Sequence, residues 1–181
     1  MIQDLFKELT AELRLGASKK GHPFRYFALA TQGLQNDIGL RTVVLRRVSP
    51  EFHLTFYTDS RSSKIKELNK NQHISALFYH PKKLFQLKVE GKGQLVTDRQ
   101  LIENHWKNVP TKARRDYTVF IPPGSTIKSP EAIDYLQDKN HFAIVNLIPQ
   151  KFEYLKLGRP NHTRVQFLPH GNIWKGTYLI P

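Results

Sequence analysis

The chain has 181 residues, 39% hydrophobic and 24% charged, a balance that fits a folded globular chain and excludes a disordered one. It has no cysteine, which excludes disulfides, thiolate metal sites and a cysteine nucleophile and is compatible with the cytosol. With 28 Lys and Arg against 15 Asp and Glu, the formal charge is +13, which favours an anionic partner: nucleic acid, a membrane surface or a phosphorylated small molecule.

Taken in order, Ile2, Leu5, Phe6, Leu9 and Leu13 recur at helical spacing and predict an amphipathic helix ending near Gly16, not a signal peptide. Phe24 to Thr31 reads as a strand apolar on both faces, and so covered on both sides. A turn at Gly33 to Asp37 follows. Thr42 to Val48 and Phe52 to Thr58 read as two strands joined at Ser49-Pro50-Glu51. The loop 59–63 opens a helix over 64–70. Strands are expected at His73 to Tyr79 and Leu84 to Val96, the second interrupted by Gly91 and Gly93 as at a bulge or barrel corner.

Thr97 to Gln100 has capping-box form and predicts a helix through Leu101, Ile102, His105 and Trp106. A basic helical turn over Thr111 to Asp116 comes next. Ser129-Pro130 predicts another helix, ending near Lys139-Asn140. Strands follow at Phe142 to Leu147, Lys151 to Leu157, Thr163 to Leu168 and Asn172 to Ile180, the last two joined by a hairpin at Pro169-His170-Gly171. Short strands without βαβ alternation predict a mainly β chain with peripheral helices, built as one antiparallel barrel domain over residues 1–181. No apolar run reaches membrane-spanning length.

The chemistry concentrates between Arg41 and Leu68. A helix start attracts an anion, and here its first turn carries Ser62 and Ser63 with Arg61 and Lys64 beside them. Arg41 and Arg46 lie on the preceding strand. The alternative is an ordinary serine N-cap with solvated cations. Arg41 and Arg46 have opposite parity, so a regular strand points them to opposite faces; one ligand meets both only through a bulge or an irregular start at Arg41. The eight His are dispersed without paired ligand spacing, so no metal site is expected.

Arg-x-Val-Val-Leu-Arg at 41–46, Phe-Tyr-Thr-Asp at 56–59, Ser-x-Lys-Ile at 62–65 and QLKVEG at 86–91 together resemble the FMN-binding half of the pyridoxamine 5′-phosphate oxidase family, in a divergent branch. The resemblance implies an antiparallel, Greek-key-like FMN-binding split barrel and a homodimer with FMN between protomers. It implies phosphate binding by Arg41 and Lys64 with Ser62, and by Ser63 where an arginine is common, Arg61 being a substitute for the lost charge. Tyr57 and Thr58 match the family's FMN-contacting pair. Thr42, Val43, Val44 and Leu45 would run along the ring, Arg46 would orient a small anionic substrate, and Gln86 would meet the ring's polar edge. Ser125 and Arg164 are contacts expected from a second subunit; Arg164 belongs to a His-x-Arg beginning at His162. These contacts serve FMN and a related deazaflavin alike.

The activity implied is FMN-dependent oxidation of a small substrate, such as a phosphorylated amine or alcohol, at flavin N5 in a cytoplasmic enzyme. No catalytic base is assigned. The region Asn104 to Arg115 lacks clean equivalents of the family's substrate-phosphate ligands, with His105, Arg114 and Arg115 as substitutes. The alternative is a flavin-binding protein without vitamin B6 oxidase activity: a carrier, a sensor or a general flavin reductase. A nucleic-acid module is argued against, because the aromatics alternate at core positions and no RNA-binding signature is present.

Overall fold

A computed structural model describes residues 1–181. Its centre is a curled antiparallel sheet whose strands neighbour one another in the order β2-β1-β5-β6-β7-β4-β3. The strands are β1 Tyr26–Gln32, β2 Ile38–Val44, β3 Arg47–Val48, β4 Leu54–Asp59, β5 His73–His80, β6 Phe85–Leu95 and β7 Phe142–Lys156. β8 Thr163–His170 pairs with the second half of β7, and β9 Ile173–Leu179 pairs with β8. The helices are α1 Ile2–Ser18, α2 Ser63–Lys70, α3 Arg99–Lys107 and α4 Thr111–Arg114. None is long and apolar enough to cross a membrane.

The strand expected over Thr42 to Val48 is two pieces serving opposite edges of the sheet. β2 pairs with β1, whereas β3 pairs with β4. The chain crosses between them at Leu45 and Arg46: the Leu45 amide donates to the Arg25 carbonyl (2.9 Å) and the Arg46 amide to the Thr55 carbonyl (2.9 Å). Arg46 and Arg47 thus both stand opposite Thr55, a bulge. Beyond it the barrel is split. β2 has no partner on its second edge, and β4 has none beyond Thr55 on the edge that faces β3.

The barrel is filled with aromatics because the inward positions alternate along each strand. Phe27 stacks on Phe78 (4.7 Å between centroids) and Phe85 on Tyr154 (5.0 Å), all fully or almost fully buried. α1 closes one end with Leu9 and Leu13, and Phe6 meets Phe152 and Trp174.

The expected strands Phe142 to Leu147 and Lys151 to Leu157 are one strand running through Pro149. The register with β6 shifts at Glu90/Gly91, which places Gly91 opposite Pro149. A Cβ at Gly91 would overlap the Ile148 carbonyl. Gly91→Ala is therefore expected to destabilise the fold by about 2–3 kcal/mol, read as a lower urea midpoint with an unchanged slope.

Other boundaries shift for local reasons. α1 runs to Ser18, past Gly16. Pro23–Arg25 forms a 3₁₀ turn, so β1 starts at Tyr26. The cap of α3 is Asp98, which accepts the Leu101 amide (3.1 Å), rather than Thr97. The last hairpin turns at Gly171 and Asn172, with Gly171 at φ 58°. The helix expected from Ser129 is only a 3₁₀ turn, Pro130–Ala132. Its chain instead pairs back on 118–120, Leu136 N–H donating to Thr118 and Phe120 N–H to Asp134. β1 is covered only on its inner face: Tyr26 is 60% exposed, beside Leu40 at 69% and Ile38 at 77%.

At the closed end, Glu12 is buried between His22 Nε2 (2.9 Å) and His80 Nε2 (3.6 Å) and is paired with Lys83. Such convergence resembles a metal site. However, each Nδ1 accepts a backbone N–H, from Phe24 and Lys83 respectively (3.1 Å each). That puts the ring proton on Nε2 in both, leaving neither a lone pair for a cation. The cluster is a clamp between α1 and the barrel. Burial holds the His22 pKa below its ordinary 6.5, against the pull of Glu12. The unfolded chain therefore takes up a proton near pH 6.5 that the folded chain refuses. Stability is full above that pH and falls as the pH drops from it toward the folded value. His22→Gln should flatten this slope in urea melts between pH 7 and pH 5.

Candidate functional site

The split edge and the start of α2 meet in one cluster. Ser62 is the N-cap of α2, yet its hydroxyl makes no cap bond. It lies 3.2 Å from Thr58 Oγ1, which also receives Lys64 Nζ at 2.9 Å. Thr58 and Ser62 are buried. Lys64 has no carboxylate within ion-pair distance; burial, and then the Arg41 charge, hold its ammonium below the ordinary lysine pKa. Arg41 itself is gripped from behind. Its Nη2 is 2.8 Å from Glu67 Oε2, its Nη1 bonds Thr31 Oγ1, and Thr31 bonds Glu67 in turn. Two cations against one buried carboxylate leave a net positive site edged by hydroxyls, which fits a phosphate monoester.

Backbone groups extend this site along the split. The Leu45 amide faces β1, so antiparallel alternation turns the main-chain groups of Thr42 and Val44 toward the gap. The Thr55 carbonyl faces β3, so by the same rule the main chain of Tyr57 faces the gap from β4. Val43 and Leu45 point their side chains into the core.

Arg46 and Tyr57 belong to a second cluster, on the outer face of β4. The bulge follows Arg46, so it does not turn Arg46 to the Arg41 side. The Arg46 guanidinium sits 5.3 Å from the centre of the Tyr57 ring, and its buried Nε has no partner. Tyr57 Oη is 2.7 Å from His105 Nδ1 on α3, and Phe142, Tyr117 and Trp106 complete an aromatic wall. Burial raises the Tyr57 and Tyr117 phenols against the pull of Arg46, and burial together with the Arg47 charge lowers His105. Both shifts favour the neutral forms, so the Tyr57–His105 contact joins a neutral phenol and a neutral imidazole.

The remaining expected residues lie apart. Ser63 is exposed at the start of α2. Arg61 is not a free substitute cation: it bonds Asp59 (2.8 Å) and the carbonyls of Val119 and Phe120. Gln86 lies on β6, cross-strand from Tyr79 and Leu155, with an outward-facing side chain that makes no hydrogen bond in the chain. Arg164 pairs with Glu153 (2.8 Å) in a network with Lys88, Glu90 and Lys151. Ser125 lies in an exposed loop beside a cavity of about 300 Å³. Arg114 is spent on the carbonyls of Lys107 and Val109 (3.0 Å each) and stacks on Trp106, and Arg115 stacks on Tyr135. Sequence reasoning missed Glu67 and Thr31. Glu67 follows Lys64 by three residues on an amphipathic helix, where it reads as part of a solvated face.

Comparison with known proteins gives a consistent set of relatives. The sequence model described as pyridoxamine 5′-phosphate oxidase, FMN-binding domain, matches residues 5–97. The chain is 33% identical over 107 residues to the pyridoxine/pyridoxamine 5′-phosphate oxidase of Psychrobacter sp. (strain PRwf-1), covering 59% of this chain and 49% of that protein. It thus spans about half the length of that relative. It is 25% identical over 171 residues to a putative pyridoxamine 5′-phosphate oxidase of Caenorhabditis elegans, covering 85% and 74%. Among solved structures, a pyridoxamine 5′-phosphate oxidase-related, FMN-binding protein of Nostoc punctiforme PCC 73102 superposes with TM-score 0.79 at 21% identity, covering 97% of each chain. PhzG of Burkholderia lata 383, in complex with tetrahydrophenazine-1-carboxylic acid, superposes with TM-score 0.77 at 20% identity, covering 99% and 92%. Both neighbours share the split-barrel fold.

Proposed function

The chain belongs to the pyridoxamine 5′-phosphate oxidase FMN-binding domain family, and from that membership we propose that it is an FMN-dependent oxidoreductase acting on a small anionic substrate. The observation that carries this reading is the under-neutralised pair Arg41 and Lys64, edged by Thr58 and Ser62 at the start of α2. Lys64, Arg41, Ser62 and Ser63 hold the FMN phosphate. The main chains of Thr42, Val44 and Tyr57 line its path along the split. Bound there, FMN supplies two-electron redox chemistry that no side chain of this protein can.

Arg46 orients the substrate. Its unpartnered Nε and the aromatic wall of Tyr57, Tyr117 and Phe142 suit a flat anion. The exposed apolar face of Tyr26, Ile38, Leu40, Leu77 and Tyr79 suits a second copy of the chain, which would bring its Gln86, Ser125 and Arg164 toward the flavin.

A second reading, a flavoprotein without vitamin B6 oxidase activity, is favoured by Arg114 and Arg115. Both are engaged internally, so the segment 104–115 offers a substrate phosphate no unengaged arginine. Anaerobic mixing of FMN-loaded protein with pyridoxamine or pyridoxine 5′-phosphate separates the two. Bleaching of the flavin band within seconds supports B6 oxidation. A band that persists with these substrates, yet bleaches with a reduced nicotinamide donor, supports the second reading. A band that survives both excludes the oxidoreductase reading for these donors.

A further inference from the structure

Beyond the split, a cleft of about 210 Å³ opens on the outer face of β3, β4 and β7 beneath α3. Its polar wall is Arg47, Ser49, His53, Thr55, His105 and Asn146, and its apolar wall is Val96, Leu101 and Ile144. Arg46, Lys64 and Arg41 do not line it; His105 is the one lining residue it shares with the Arg46 and Tyr57 cluster. No acidic residue lines it.

The hydrogen bonds around this wall leave a guanidinium and an amide nitrogen uncommitted. The Tyr57 hydroxyl and His105 Nδ1 share a hydrogen bond (2.7 Å), which holds the imidazole with its Nε2 edge free of the phenol. Thr55 Oγ1 donates to Asn146 Oδ1 (2.7 Å), which spends the amide oxygen and leaves the amide nitrogen without a protein partner. The Arg47 guanidinium pairs with no carboxylate. An imidazole edge, an amide NH₂ and a free guanidinium thus border a space that also has three aliphatic residues, Val96, Leu101 and Ile144. A free guanidinium with no acidic residue in the lining selects an oxyanion, and the aliphatic wall selects one carrying an apolar body.

We infer that this cleft is a binding site for a small carboxylate with a short hydrocarbon or aromatic body, held by Arg47 and the Asn146 amide beside the His105 ring. The carboxylate takes the guanidinium side by side, and its body rests on Val96, Leu101 and Ile144. The site stands whether or not FMN is bound at the split.

The test uses the full chain, flavin-free and FMN-loaded, titrated with benzoate, with neutral benzamide and with inorganic phosphate. The readouts are amide and imidazole ¹⁵N–¹H spectra. Benzoate should saturate in both forms, moving the His105 ring signal and the Asn146 side-chain amide. Benzamide should leave them unmoved, and phosphate should bind at least tenfold more weakly than benzoate. Arg47→Met should raise the benzoate dissociation constant at least tenfold with FMN affinity unchanged, and His105→Gln should weaken it to a smaller extent. Benzoate binding that requires FMN, or that survives Arg47→Met, overturns the proposal, as does equal binding of benzamide. Phosphate binding as tightly as benzoate also overturns it and makes the cleft a plain oxyanion site. Loss of FMN binding in the unmodified chain would count against the flavin reading alone.

Discussion

Lys64→Met is expected to weaken FMN binding by about 2–3 kcal/mol, roughly 30- to 150-fold in dissociation constant, without loss of fold stability. The reason is the position of the ammonium. Its one hydrogen-bond partner in the chain is the Thr58 hydroxyl, it has no carboxylate partner, and burial and the Arg41 charge disfavour its protonated form. A charge held below its ordinary pKa costs the folded state stability at neutral pH. Replacing it with an uncharged chain of similar length removes that cost, while removing a charge-assisted bond to the phosphate. Flavin fluorescence quenching measures the first effect. Thermal unfolding of the flavin-free protein measures the second, with an expected midpoint equal to or above that of the unmodified chain. A midpoint several degrees lower would mean that Lys64 is a structural residue.

Arg41→Met is expected to act in the opposite manner, lowering affinity and stability together. Glu67 is buried, with a side chain only 8% exposed, and Arg41 and Thr31 are its partners. Removing the guanidinium leaves a carboxylate buried without its counter-charge, which costs about 3 kcal/mol or more. Adding Glu67→Gln should restore most of that stability, because the amide needs no counter-charge. It should not restore FMN affinity, because the phosphate has still lost Arg41. Urea unfolding of the single and double variants, with FMN titration of each, checks both parts. Equal stability of Arg41→Met and the double variant would show that Glu67 is not the residue Arg41 neutralises.

These contrasts follow from a site only partly visible in the sequence. The barrel was legible because alternation along β4, β5 and β6 is regular, and Gly91 marked the register shift that it makes opposite Pro149. The start of α2 was legible for the same local reason: two serines and two cations precede the apolar positions Ile65 and Leu68. What alternation hid was the exchange of partners at Leu45 and Arg46. A strand that leaves one neighbour for another keeps its pattern, so only pairing reveals the split. Long-range partners were equally hidden. Arg61 reads as a free cation until Asp59 and two carbonyls from a distant loop surround it. Arg114 and Arg115 read as candidate ligands until stacking on Trp106 and Tyr135 accounts for them. The segment after Ser129 has a helix-start signal, but backbone pairing with 118–120 overrides it.

The most direct measurement is the visible absorption of the protein after incubation with FMN and removal of the excess. The account predicts a flavin band at near one FMN per chain, perturbed relative to free FMN, and largely lost in Lys64→Met. A protein that emerges colourless, or that binds FMN equally well without Lys64, would contradict the placement of the phosphate at Arg41, Thr58, Ser62 and Lys64.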